Sequence, residues 1–271
     1  MFYRPTFEKA FYRIMLQGWK RMSSEAQDLV RQGVALAQST DGLFCGRGDK
    51  EDLYYTFFGL LLSLMPGMKI NRKTCRHALD SIDLHSLDLV HCCAFFRSQR
   101  ILHPFTWKLK YDISYLHSLP ATAYPHGDSE APYSRFLRDM LLNDCGEKIT
   151  LPDLHEYRLP NGLYSNLKNQ TIYNVNATAA AVFLLPDELQ QQTLHALSAE
   201  QAEDGSFGGN LLSTAVALFA LQTYQTHARF SAKGYLQECL RENGFFAPTP
   251  DAPEGDLEYT VYGVLAMGAT P

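Results

Sequence analysis

The sequence predicts an all-α chain, a single domain over residues 1–271 built as an α/α toroid of about six helical hairpins, with residues 1–22 as an extra N-terminal helix. Three observations predict it. A glycine-punctuated turn carrying an aromatic, followed by a loop and an apolar helix, recurs along the chain. An amphipathic helix precedes each of these apolar ones. The turn aromatics Phe44, Tyr164, Phe207 and Phe246 fall about forty residues apart late in the chain, with one early gap about three times as long.

Phe7, Phe11, Ile14, Met15 and Leu16 recur at helical spacing, which predicts an amphipathic helix over residues 6–19 whose apolar stripe must lie on something. Ser24 and Gln27 have the S-x-x-Q form of a capping box and open a second helix. That helix turns Leu29, Val30, Val34, Leu36 and Ala37 inward and keeps Gln27, Asp28, Arg31 and Gln32 outside. Asp41-Gly42 ends it with a turn. A charged loop through Gly46, Arg47, Gly48, Asp49 and Lys50 leads into a helix over residues 52–64. This helix is apolar nearly all round and must be buried on every side, while Asp52 places a carboxylate at its positive N-terminal end.

The outer–inner pair returns. Residues 187–200 and 213–224 flank the turn AEDGSFGGN, residues 232–242 and 256–267 flank NGFFAPTPDAPEG, and PNGLYSN leads into an inner helix over 173–185. Weaker pairs fill the early gap, 72–82 with 84–96 and 105–119 with 133–142. Hairpins whose inner helices are apolar on all faces cannot stack as an open solenoid without exposing those helices at both ends. Closure into a toroid removes the problem and leaves the inner helices around a central cavity.

Composition narrows the function classes. A 46% hydrophobic content supports a sizeable core. The net charge of -5, with 24 scattered Lys and Arg residues, lacks the basic footprint of a nucleic-acid binder. No run approaches the ~18 uninterrupted apolar residues of a membrane span. The N-terminal segment mixes charges through its apolar residues and has no small-residue cleavage site, so a cytoplasmic address is expected. Six cysteines without a CxxC pair fit reduced thiols.

The units DGLFCGRGDKEDLYYTFFGLLLSL, DGSFGGNLLSTAVALFALQTY and NGFFAPTPDAPEGDLEYTVYGVLAM resemble the repeats of protein prenyltransferase β subunits and of squalene and terpene cyclases. The shared form is a DG-x-F turn, a short loop, then an Asp and a Tyr-Thr pair that start an inner helix. The resemblance implies an isoprenoid or other apolar ligand in a central cavity. Tyr54, Tyr55, Phe57, Phe58, Tyr173, Phe183, Phe219, Tyr259 and Tyr262 would supply aromatic rings to it. In the prenyltransferases a GRxxK loop holds the isoprenoid diphosphate, and Gly46, Arg47 and Lys50 reproduce that pattern. Asp52 matches the zinc-ligating Asp when one loop residue is deleted, but Tyr54 stands in place of the Cys and Tyr259 in place of the His. Phenols are poor zinc ligands, so no cofactor is expected.

The candidate ligand-binding residues are therefore Arg47, Lys50, Asp52, Tyr54, Tyr55, Asp256 and Tyr259. A helix N-terminus beside Arg47 and Lys50 suits an anion; alternatively the two cations are solvated loop charges and Asp52 is a helix cap. The DxDD acid of class II terpene cyclases is absent. Asp144-Cys145-Gly146-Glu147-Lys148 lacks the first glycine and the glutamine of a thioester GCGEQ. His85, His91, Cys92 and Cys93 share one predicted helix without an i, i+4 pair, which favours core packing over a metal site. With the catalytic motifs missing, the alternative is a non-catalytic toroid that binds a peptide or protein partner. The N-terminal helix is then a docking surface or a plug.

Overall fold

The computed structural model describes residues 7–48, 50–104 and 127–271. Among these the chain is mostly helical, with eleven α-helices and one two-stranded antiparallel sheet pairing Phe44–Cys45 with Glu51–Asp52. The helices are α1 (Phe7–Arg21), α2 (Ser24–Ala37), α3 (Leu53–Leu62), α4 (Arg72–Asp80), α5 (Leu89–Leu102), α6 (Pro132–Asp144), α7 (Val175–Val182), α8 (Asp187–Ala199), α9 (Leu211–Thr223), α10 (Lys233–Cys239) and α11 (Leu257–Ala269). The predicted outer helix over 105–119 lies outside the described residues.

Helices α3, α7, α9 and α11 bury most of their residues, as their all-round apolar character requires. Their contacts run in sequence: α3 packs on α5, α5 on α6, α6 on α7, α7 on α9, α9 on α11, and α11 on α3. The amphipathic helices lie against these, α2 on α3, α4 on α5, α8 on both α7 and α9, and α10 on α11.

Four expectations need correction. Leu36, expected to face inward on α2, is 87% exposed. The N-cap of α2 is Ser23, whose hydroxyl accepts from the Ala26 N–H, and not Ser24. Gln27 is no capping-box partner either, because its amide donates to the carbonyls of Trp19 and Met22. The predicted inner helix over 84–96 is broken, since Leu84–Ser86 is a 3-10 turn and α5 begins after the Asp88 cap.

The fourth concerns α1. Its apolar face is covered by α11, with smaller contacts to α6 and α9, so it is no free docking surface. The two helices approach closely because the crossing is made of glycines. A Cβ on Gly18 would collide with the Val264 carbonyl, and one on Gly268 with the Ile14 carbonyl. Both ends of α1 are tied by charge. Arg21 donates to the carbonyls of Met267 and Thr270 at the end of α11, at 2.9 and 2.6 Å. Glu8 receives Arg100 at 2.6 Å and Arg97 at 3.4 Å, while Arg97 also pairs with buried Asp144 at 3.0 Å. Burial works against the charge on Arg97, but Asp144 and Glu8 outweigh it and raise its pKa.

Candidate functional site

The site is built by a local device repeated four times. Gly42, Gly162, Gly205 and Gly244 adopt positive φ and turn the chain, two residues before Phe44, Tyr164, Phe207 and Phe246. These aromatics are buried, and each donates its backbone N–H to the hydroxyl of a buried threonine, Thr56, Thr178, Thr214 or Thr260, at 2.9 to 3.1 Å. The threonine donates in turn to the carbonyl of the residue four before it, Asp52, Asn174, Asn210 or Asp256. Those same four residues are the N-caps of α3, α7, α9 and α11, their side chains accepting first-turn N–H groups. The device satisfies a buried donor, caps the helix and sets its rotation in a single arrangement.

Equal rotation brings equal positions together. The residue two after each cap is Tyr54, Asn176, Leu212 or Glu258, and all four line one cavity of about 190 Å³. Four residues further along, Ala180, Val216 and Tyr262 line it too, and Phe58 lines an adjoining space of about 100 Å³. Another turn on, Phe183, Phe219 and Leu265 continue the wall. The cavity is thus walled by i, i+4, i+7 stripes of α7, α9 and α11 with Tyr54 of α3 beside them, its polar groups near the helix starts and its far end apolar.

Its apolar end is closed by α1. Phe7 meets Phe136, Phe183 and Phe219 edge-on at centroid distances of 5.2, 5.4 and 5.4 Å, and Phe183 stacks on Phe219 at 5.5 Å. Phe7 and Phe11 line both spaces and stand between them.

At the polar end, the Tyr54 hydroxyl donates to Glu258 Oε1 at 2.6 Å. Burial lifts the Glu258 carboxyl above the usual range, and Asp256 adds to this while Tyr54 and Arg47 oppose it. Burial also pushes the Tyr54 phenol far up. Asn176 Oδ1 is buried and has no hydrogen-bond partner among the described residues. Beside this group, Asp256, 5% exposed, accepts from Arg47 Nε at 2.9 Å and from the Tyr55 hydroxyl at 3.4 Å. The Arg47 guanidinium lies 5.6 Å from the centre of the Tyr259 ring. Burial and Asp256 push the Tyr55 phenol to about 12.

The seven candidate residues therefore separate. Tyr54 lines the cavity. Arg47, Tyr55, Asp256 and Tyr259 form a cluster on the adjoining side, joined by an ion pair, a hydrogen bond and a cation–π contact. Asp52 caps α3 and faces His91, and Lys50 is exposed on its loop. Of the proposed aromatic lining, Tyr54, Phe183, Phe219 and Tyr262 border the larger space and Phe57 and Phe58 the smaller one, whereas Tyr173 donates to Glu200 near the surface. Cys92 and Cys93 are buried, and their thiols donate to the carbonyls of Leu87 and Leu137. Among the described residues no three His, Cys, Asp or Glu side chains group as metal ligands.

Sequence reasoning missed Glu258, Asn176, Tyr133, Phe136, Phe7 and Phe11 as lining residues. The signal for the first two was register: they stand two residues after a cap, where Tyr54 does. No protein-family model matches the chain, and no curated protein matches it in sequence.

Proposed function

We propose that the chain is an α/α toroid whose aromatic-lined central cavity binds a small isoprenoid or other apolar ligand. The toroid reading is supported by the circuit of helix contacts that runs from α3 through α5, α6, α7 and α9 to α11 and back to α3. One observation carries the binding reading: equivalent positions of four helices, together with α1, converge on one cavity walled by Phe7, Phe11, Phe136, Phe183 and Phe219. Concave apolar spaces with a few polar groups at one side are the usual form of small-molecule sites. At about 190 Å³ the space falls below the roughly 300 Å³ at which such sites generally begin, which favours a short ligand over a long prenyl chain.

A diphosphate head is poorly served here, because Arg47 is engaged by Asp256 and neither Arg47 nor Lys50 borders the cavity. The proposal is one of binding and assigns neither a reaction nor a cofactor. Geraniol, a ten-carbon isoprenoid alcohol, is expected to raise Tm by a few degrees, and geranyl diphosphate by no more. Phe183→Trp, which fills the apolar end, is expected to abolish the geraniol shift. Absence of any shift with geraniol and its amine and acid analogues, in the unaltered protein, would sink the binding reading.

A further inference from the structure

The polar end of the cavity has an unmatched charge pattern. Three carboxylates stand at the starts of α3 and α11, and of these Glu258 lines the cavity. Asp52 is faced by His91, with Nε2 to Oδ2 at 3.9 Å, and Asp256 is paired with Arg47 at 2.9 Å. Glu258 is held by a phenol, Tyr54, and among the described residues no Lys or Arg borders the cavity. A partly buried carboxylate ordinarily finds a cation or gives up its charge. Across the same tier Asn176 presents a buried Oδ1 acceptor with no donor among the described residues, although buried polar atoms are satisfied in the great majority of cases. An acceptor without a donor and a carboxylate without a cation on the lining thus border one small space. Aromatic rings, Tyr54 and Tyr262 among them, flank that space, and their faces attract cations.

Resting on the binding reading above, we infer that the ligand is an amphipathic amine, its ammonium directed at Glu258 and Asn176 and its apolar body among Phe183, Phe219 and Leu265. An ammonium carries three donors and a positive charge, so it supplies a donor for Asn176 and a counter-charge for Glu258. A hydroxyl supplies one donor and no charge, and a carboxylate meets Glu258 as a like charge. Burial, which lifts the Glu258 carboxyl, works in the same direction, since a cation held beside it restores its ionised form.

Geranylamine, geraniol and geranic acid share one apolar skeleton and differ in the head group, so calorimetric titration of the full chain with each isolates the head. Geranylamine is expected to bind about ten-fold more tightly than geraniol, and geranic acid more weakly than either. Glu258→Gln is expected to remove the preference for the amine, so that geranylamine and geraniol bind the variant about equally. Equal binding of geraniol and geranylamine to the unaltered protein overturns the amine assignment and leaves the binding reading standing, as does an amine preference that survives Glu258→Gln. Failure of all three to bind overturns both. The comparison among ligands on the unaltered protein decides the matter even where the variant does not fold.

Discussion

His91 shows how a residue that resembled part of a metal cluster serves the helix starts instead. Its Nδ1 lies 2.9 Å from Asp88 Oδ1 and its Nε2 3.9 Å from Asp52 Oδ2. Asp52 and then Asp88 raise the imidazole from 6.5 to about 9, with burial opposing them, and His91 in turn holds the Asp52 carboxyl below its usual range. The imidazole contribution to stability is therefore complete below pH 6.5 and is lost as pH rises through about 9. The Asp52 contribution is present above 3.8 and is lost as pH falls. Because the ring is partly exposed, solvent screening limits the effect to about 1 kcal/mol. His91→Gln is expected to unfold at lower urea than the unaltered protein at pH 6, and the gap is expected to close by pH 10. A gap that stays constant across that range would contradict the pairing.

At the scale of the element, the turn–helix unit is held by the threonine bridge rather than by apolar burial alone. Thr260 is fully buried, accepts from the Phe246 N–H at 3.1 Å and donates to the Asp256 carbonyl at 2.6 Å. Thr260→Val keeps the shape and leaves the Phe246 N–H without an acceptor, a loss of about 1–3 kcal/mol. Thr260→Ser, which retains the hydroxyl, is expected to recover most of it. Thermal melts of the two variants side by side make the test, and equal losses would assign the effect to packing. This unit was legible in the sequence because its parts are local: a glycine for positive φ, a capping side chain and a threonine four residues later. The start of α2 was less legible, since Ser23 and Ser24 both offer a hydroxyl and the choice depends on Gln27 reaching back to Trp19 and Met22.

Across the whole molecule, long-range ion pairs tie the first helix to the middle of the chain. Arg97 on α5 joins Glu8 on α1 to Asp144 on α6, and all three lie largely out of solvent. Removing one member of a buried network leaves its partners uncompensated, at a cost of about 3–5 kcal/mol. Arg97→Met is accordingly expected to lower Tm sharply, with helix content and Trp fluorescence still falling in one coincident transition. Two separated transitions would mean that α1 and the remainder unfold as independent units. The covering of α1 was not legible. Its stripe shows that one face is buried, but the partner is chosen by Gly18 meeting Gly268, 250 positions later in the chain.

The sequence by itself determined the helical class, the alternation of amphipathic and all-round apolar helices and the four turn–helix units, because hydrophobic period, capping and turn chemistry act over a few residues. Tertiary structure alone decided which side chains share the cavity. Glu258 and Asn176 look like ordinary polar residues in the first turn of a helix, and only the common rotation imposed by the threonine bridges turns them toward Tyr54. The same packing consumed Arg47 in an ion pair with Asp256, which a loop motif read in isolation had left free for a ligand.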